Sequence, residues 1–147
     1  MLTSWSSLKG KLLLPYPSVY MCTVKGINNK IREVPALISL SYSTSVINKI
    51  TATELGYSEA TSRLQDLEEL YHDRVKYFIT SKGIERAYIF KLKLIKMGNI
   101  TRRNFPVAIL DEELNPHLPV DLILGFDYFK GKKIYADTVK KTIRILS

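Results

Sequence analysis

The chain has 147 residues, 46% of them hydrophobic, enough to bury one core and too few to support two independent domains. Charged residues make up 24% with both signs along the whole length, a composition that excludes intrinsic disorder. The formal charge of +8 is spread rather than gathered, with 11 Lys and Arg against 8 Asp and Glu up to Phe90 and 11 against 6 from Lys91 onward.

Residues 1–18 mix Ser, Lys, Gly and Leu and lead into Pro15-Tyr16-Pro17, which forces extended backbone; an arm or edge strand is expected there. Val19 to Ile27 is apolar and β-branched, Asn28-Asn29 tolerates left-handed backbone, and Ile31 to Ile38 resumes the extended pattern, so the three together predict a β-hairpin. After a serine-rich loop and Val46-Ile47, Thr51 to Leu55 followed by Gly56 predicts a short helix with a glycine C-cap. A second helix is predicted over 58–73, where Ser58 can cap and Ala60, Leu64, Leu67 and Tyr71 share one face.

Strands follow: Val75 to Thr80, a Lys82-Gly83 turn, Ala87 to Lys96, a Gly98-Asn99 turn, then Phe105 to Leu110. Phe90, Leu92 and Leu94 alternate with Lys91 and Lys93, predicting one dry face and one basic face. The same alternation in Lys141-Thr142-Ile143-Arg144-Ile145 predicts a final strand.

Two stretches together resemble the retropepsin-like aspartic proteases. The first is Ala36-Leu37-Ile38, four residues, then Ser43-Thr44-Ser45-Val46-Ile47 and a helix ending Glu54-Leu55-Gly56. The second is Asp121-Leu122-Ile123-Leu124-Gly125-Phe126-Asp127-Tyr128-Phe129, followed by a strand around Lys133 to Ala136. The resemblance covers about Val19 to Leu146 and implies a mainly β, closed barrel of the single-lobe acid-protease type with two short helices. Residues 19–147 would form that domain. It also implies that Ile123, Leu124 and Gly125 thread behind the catalytic loop and support it, with glycine where no side chain fits. Ser81, Lys82, Gly83 and Ile84 would form a flap-like hairpin, and two lobes would meet as a homodimer with a cleft on the two-fold axis.

At the positions where the family reads Asp-Thr-Gly-Ala, this chain reads Ser39-Leu40-Ser41-Tyr42. The family's chemistry needs two carboxylates that share a proton, one from each lobe, and a serine hydroxyl cannot replace either. No shift of alignment supplies the missing acid, since Glu54 and Glu59 are the acidic residues between Glu33 and Asp66 and both fall in or beside predicted helices. No catalytic residue is therefore assigned. Asp121 and Asp127, which flank the Ile-Leu-Gly motif, are expected to be structural, bonding to backbone at element ends.

Other chemistry finds little support. A serine nucleophile needs an oriented base, and nothing ties His72 or His117 to Ser39, Ser41, Ser43 or Ser45. One cysteine and two separated histidines offer no metal-ligand spacing, Asp111, Glu112 and Glu113 read as a solvated loop, and phosphate-cradling glycine loops are absent, so no metal or cofactor is expected. Lys91, Lys93, Lys96, Arg102 and Arg103 come closest to a nucleic-acid footprint but lack interleaved stacking residues. Leu12-Leu13-Leu14 is cut off by Pro15 and Pro17, and no run nears the roughly 20 apolar residues of a membrane span. The single Cys22, in an apolar run, points to a reducing, cytoplasmic setting.

The reading reached from sequence is a catalytically inactive retropepsin-like domain, a pseudoprotease that binds a peptide or protein as a homodimer, with the 58–73 helix as a docking candidate. The alternatives are an active aspartic endopeptidase completed by a second chain, or a basic nucleic-acid-binding protein.

Overall fold

Among the described residues, the apolar, β-branched segments pair into twelve strands. In the computed structural model, which describes residues 2–3, 7–8, 11–16, 18–57, 75–80, 83–110 and 120–146, these are β1 (Leu2–Thr3), β2 (Ser7–Leu8), β3 (Lys11–Pro15), β4 (Val19–Lys25), β5 (Ile31–Ile38), β6 (Val46–Asn48), β7 (Val75–Thr80), β8 (Gly83–Met97), β9 (Ile100–Leu110), β10 (Leu122–Leu124), β11 (Lys133–Asp137) and β12 (Thr142–Leu146). One α-helix, α1 (Lys49–Glu54), and a 3-10 turn over Phe126–Phe129 complete the described elements. The predicted 58–73 helix, Ser81 and Lys82 of the flap-like hairpin, His72, His117 and the acidic cluster at 111–113 lie outside the described residues.

Six strands close into a barrel. The larger sheet runs β1-β4-β5-β10-β6-β9-β8-β7, and a further pairing of β4 with β8 joins Thr23, Val24 and Lys25 to Lys96, Ile95 and Leu94. The ring is thus β4-β5-β10-β6-β9-β8, with β1 and β7 outside it. Its interior holds Tyr20, Cys22, Val24, Phe90, Leu92, Leu122 and Leu124, all without solvent exposure. Removing each such side chain from water contributes about 2 kcal/mol. Burial also pushes the Cys22 thiol far above its ordinary pKa, so this cysteine behaves as a small core residue.

The expected hairpin forms, with β4 and β5 antiparallel from Tyr20 opposite Ala36 to Lys25 opposite Ile31. Asn29 takes the left-handed backbone its turn requires, at φ 65°. The first helix begins two residues earlier than predicted, because the Asn48 side chain accepts from the Thr51 N–H at 2.8 Å and caps it. Leu55 closes the helix and Gly56 turns the chain at φ 99°.

In β8 the predicted alternation holds only in part. Phe90 and Leu92 face the core, but Leu94 is half-buried, and Ile95 and Met97 take over the inward positions. The change of phase comes at Lys93, opposite Asn104, whose φ of 49° interrupts the β8–β9 ladder. The described β7 pairs with β8 through Tyr88, before that kink, and beyond it Leu94 to Lys96 pair with β4, which closes the barrel.

A second sheet, β11-β12-β3-β2, caps the barrel. The stretch expected as an arm or edge strand supplies β1, β2 and β3, and among the described strands β3 lies between β12 and β2, with Leu12 and Leu14 buried in the barrel's core. Tyr20 donates from its hydroxyl to the Pro15 carbonyl, tying the two sheets together, and burial raises its pKa to about 12.

The helix packs tightly against the β4–β5 turn. A Cβ on Gly26 would lie 2.2 Å from the Leu55 carbonyl oxygen and 2.5 Å from the Leu55 Cβ. Gly26→Ala is expected to cost about 3 kcal/mol through overpacking against backbone, read as a lower midpoint in chemical denaturation with an unchanged slope.

Candidate functional site

The loop that joins β5 to β6 is held from below by β10. That strand runs parallel to β5, with Leu122, Ile123 and Leu124 opposite Ala36, Leu37 and Ile38, and antiparallel to β6, with Leu122 and Ile123 opposite Ile47 and Val46. It is buried on both faces. Leu122 and Leu124 enter the barrel core, while Ile123 joins a second cluster with Val46, Ala87, Ile89 and Ala108 on the other side of the wall. Its unbroken apolar sequence follows from this double burial.

Gly125 then passes beneath the loop. A Cβ there would lie 2.6 Å from the Tyr42 carbonyl oxygen and 3.1 Å from that of Thr44, so only hydrogen fits. The Ser39 N–H bonds the Leu124 carbonyl at 3.0 Å, and the Phe126 N–H bonds the Tyr42 carbonyl at 2.7 Å. The loop is therefore stitched to β10 and its continuation at its start and at its middle.

Within the loop, the Ser39 and Ser41 hydroxyls lie 2.9 Å apart, sharing one hydrogen bond, and the Tyr42 N–H closes a turn on the Ser39 carbonyl at 3.2 Å. Leu40 is 43% exposed. Tyr42 is half-buried and packs on the cluster that contains Ile123, so its ring holds the loop against the barrel wall. The loop presents hydroxyls and apolar surface; none of the residues from Ser39 to Ser45 carries a charge.

Beneath it lies a polar knot of two residues 82 positions apart. The Asp127 carboxylate accepts from the Ser45 N–H at 2.9 Å and from its hydroxyl at 2.8 Å, and the same Ser45 oxygen accepts from the Gly125 N–H at 2.9 Å. Ser45 is fully buried. Desolvation raises the Asp127 pKa, opposed by the bonds from Ser45. A second pair, Asn48 Nδ2 to Asp121 at 3.0 Å, anchors the start of β10 beside the helix cap. Sequence reasoning placed Asp121 and Asp127 as structural acids but missed their partners, since neither a lone serine in a serine-rich loop nor an asparagine before a helix signals a contact so remote in sequence.

The hairpin assigned to the flap is β7 paired with the start of β8, Ile79 opposite Ile84 and Thr80 opposite Gly83. In the described sheet β7 pairs with β8 alone, so this hairpin projects beyond the barrel ring. Among the described residues no group of three or more His, Cys, Asp and Glu could hold a metal, and no helix is long and apolar enough to cross a membrane.

No protein-family model and no curated protein matches the sequence. Among solved structures, a retropepsin-like aspartic protease from Rickettsia conorii superimposes with a TM-score of 0.61 over 97% of this chain and 95% of that one, at 19% identity. The chain has the retropepsin-like fold. The retroviral protease-like domain of Ddi1 from Leishmania major is also similar, at 17% identity over 90% of this chain and 92% of that one, with a TM-score of 0.47. Within this retropepsin-like fold, the parallel β5–β10 pair with Gly125 under the adjoining loop is the feature that shapes the site.

Two outcomes are expected. Ser45→Ala leaves the buried Gly125 N–H without its acceptor and removes a donor from Asp127, costing about 3 kcal/mol by thermal or chemical denaturation. Asp127, with its folded-state pKa raised, binds its proton more tightly when folded. Its contribution to stability is thus full below the unfolded carboxylate value of about 3.9 and is lost as pH rises through the raised folded value. Denaturation across that acidic window should show the slope in the wild type and a flatter profile in Asp127→Asn.

Proposed function

We propose that this chain is a non-catalytic retropepsin-like domain that binds an extended peptide or protein segment as a homodimer. The observation that carries the reading is the loop itself: Ser39-Leu40-Ser41-Tyr42 follows β5 where β10 buttresses it, the place at which the fold implies a catalytic aspartate. Peptide hydrolysis by two carboxylates requires that they face each other and share a proton. Here the Ser39 and Ser41 hydroxyls are engaged with each other, and the acid bound to the loop's base, Asp127, is occupied by Ser45.

Binding does not need the lost acids. An extended segment gains its affinity by adding backbone hydrogen bonds to a strand edge, with alternate side chains filling pockets. The β7–β8 hairpin supports that mode, because β7 pairs on one side only among the described strands. The exposed Leu40 replaces a hydroxyl with an apolar contact at the loop through which two lobes would meet. The buried thiol of Cys22 fits a reducing, cytoplasmic setting.

The test is incubation of the full chain with a diverse peptide library, from acidic to neutral pH, followed by mass spectrometry of both the solution and the retained fraction. Intact peptides with a retained, extended subset are expected. Cleavage with an acidic optimum would sink the non-catalytic reading, and intact peptides with nothing retained would sink the binding one.

A further inference from the structure

Two features of the sequence have no part in the site: the formal charge of +8 and the cluster Lys91, Lys93, Lys96, Arg102 and Arg103. The fold divides that cluster. Arg102 donates from Nε and Nη2 to the Tyr128 and Lys130 carbonyls at 3.0 and 2.6 Å, so it is engaged in holding the 3-10 turn. Lys91, Lys93 and Lys96 stand on the outer face of β8, because Phe90, Leu92, Ile95 and Met97 take the inward positions around them.

Strand pairing adds to this stripe. At Leu94, whose side chain is half-buried, the ladders set Lys25 of β4 on one side and Arg103 of β9 on the other. With strands about 4.8 Å apart and residues about 3.3 Å along each strand, five cations surround one apolar residue in an area about 17 Å long and 10 Å wide. Lys93, Lys96 and Arg103 are exposed, and Lys25 and Lys91 are half-buried.

Among the described residues no acid balances them. Glu54 pairs with Arg32, Asp121 with Asn48, Asp127 with Ser45, and Asp137 with the backbone of its own turn. Glu33 lies opposite Thr23, which lies opposite Lys96, so two strand spacings separate the acid from that lysine. Lys93 donates to the Asn29 side-chain oxygen at 2.6 Å, a neutral partner that orients the ammonium without cancelling its charge. Like charges gathered on one wall repel each other, and an anionic partner relieves that repulsion.

Spacing and composition select the partner. Lys91 and Lys93 are two residues apart on one face, a repeat of about 6.7 Å, and an extended polypeptide presents alternate side chains at the same repeat. The stripe from Lys91 to Lys96 carries Leu94 among its cations and no aromatic side chain, whereas single-stranded nucleic acid is held by base stacking on aromatic rings between the charges. We infer that the outer face of β8 from Lys91 to Lys96, with Lys25 and Arg103 beside it, is a docking surface for an acidic, extended segment of another protein. That segment carries carboxylates at alternate positions and an apolar residue against Leu94. The surface uses no residue of the Ser39–Tyr42 loop or of β7, and it does not depend on the function proposed above.

The experiment is fluorescence anisotropy of two labelled probes titrated with the full chain at low and at physiological salt. One probe is a synthetic peptide alternating Glu and Ser around a central Leu; the other is a single-stranded oligouridylate of equal charge. The peptide is expected to bind, and more weakly as salt rises. Lys93→Glu combined with Lys96→Glu is expected to weaken it by about 10-fold or more, because like charges then face its carboxylates. Lys133→Glu combined with Lys140→Glu makes the same change of net charge in the smaller sheet and its hairpin turn, and is expected to leave the affinity within about twofold of wild type. All four lysines are exposed, so both double variants are expected to keep the wild-type denaturation midpoint. Replacing the central Leu of the probe with Ser is expected to weaken binding several-fold. Tighter binding of the oligouridylate than of the peptide overturns the acidic segment in favour of nucleic acid. A peptide that does not bind, or that binds both double variants equally, overturns the docking surface itself.

Discussion

The rest of the site depends on how a strand can pass directly beneath a loop without opening a void or leaving buried polar groups unpaired. Gly125 meets the steric half of that demand, because the Tyr42 and Thr44 carbonyls occupy the space where any Cβ would stand. Ser45 meets the polar half. Its one hydroxyl both donates to Asp127 and accepts from Gly125, and its N–H donates to the same carboxylate, so a fully buried residue has its polar side chain satisfied on two sides. Such a network holds the β5–β6 loop in one conformation, and it does so whether or not the loop carries a catalytic group.

Rigid support beneath an uncharged loop is the physical argument for the proposed binding role. A scaffold that keeps the Ile123-Leu124-Gly125 thread, the Ser45–Asp127 knot and the Asn48–Asp121 pair presents a rigid surface at Ser39 to Tyr42. Rigidity lowers the entropic cost of capturing an extended partner. The barrel contributes in the same way, since closure through β4 and β8 leaves unpaired edges, among the described strands, only outside the ring. Backbone hydrogen bonds remain on offer at such edges, β7 beside the loop-bearing barrel and β11 in the capping sheet among them.

Two adjacent strands of the smaller sheet illustrate how the same local pattern serves different purposes. In β12, Ile143 and Ile145 alternate with polar residues because one face packs on the core and the strand has neighbours on both sides. In β11 the alternation fades into general exposure.

Much of the fold was legible from local chemistry alone. The Asn28-Asn29 turn between apolar runs, the apolar alternation of the last strand and the glycine after the first helix each express a backbone or burial preference that acts over a few residues. The sequence by itself also determined that Ser39 to Tyr42 brings no carboxylate to the loop. What only the tertiary structure decided were relations between distant residues: the kink at Asn104 that moves the inward phase from Leu94 to Ile95, the closure of β4 onto β8, and the binding of Ser45 to Asp127 across 82 positions. Local propensity cannot report these, because barrel closure and buried hydrogen bonding are set by which segments become neighbours, and that is a property of the whole packed chain.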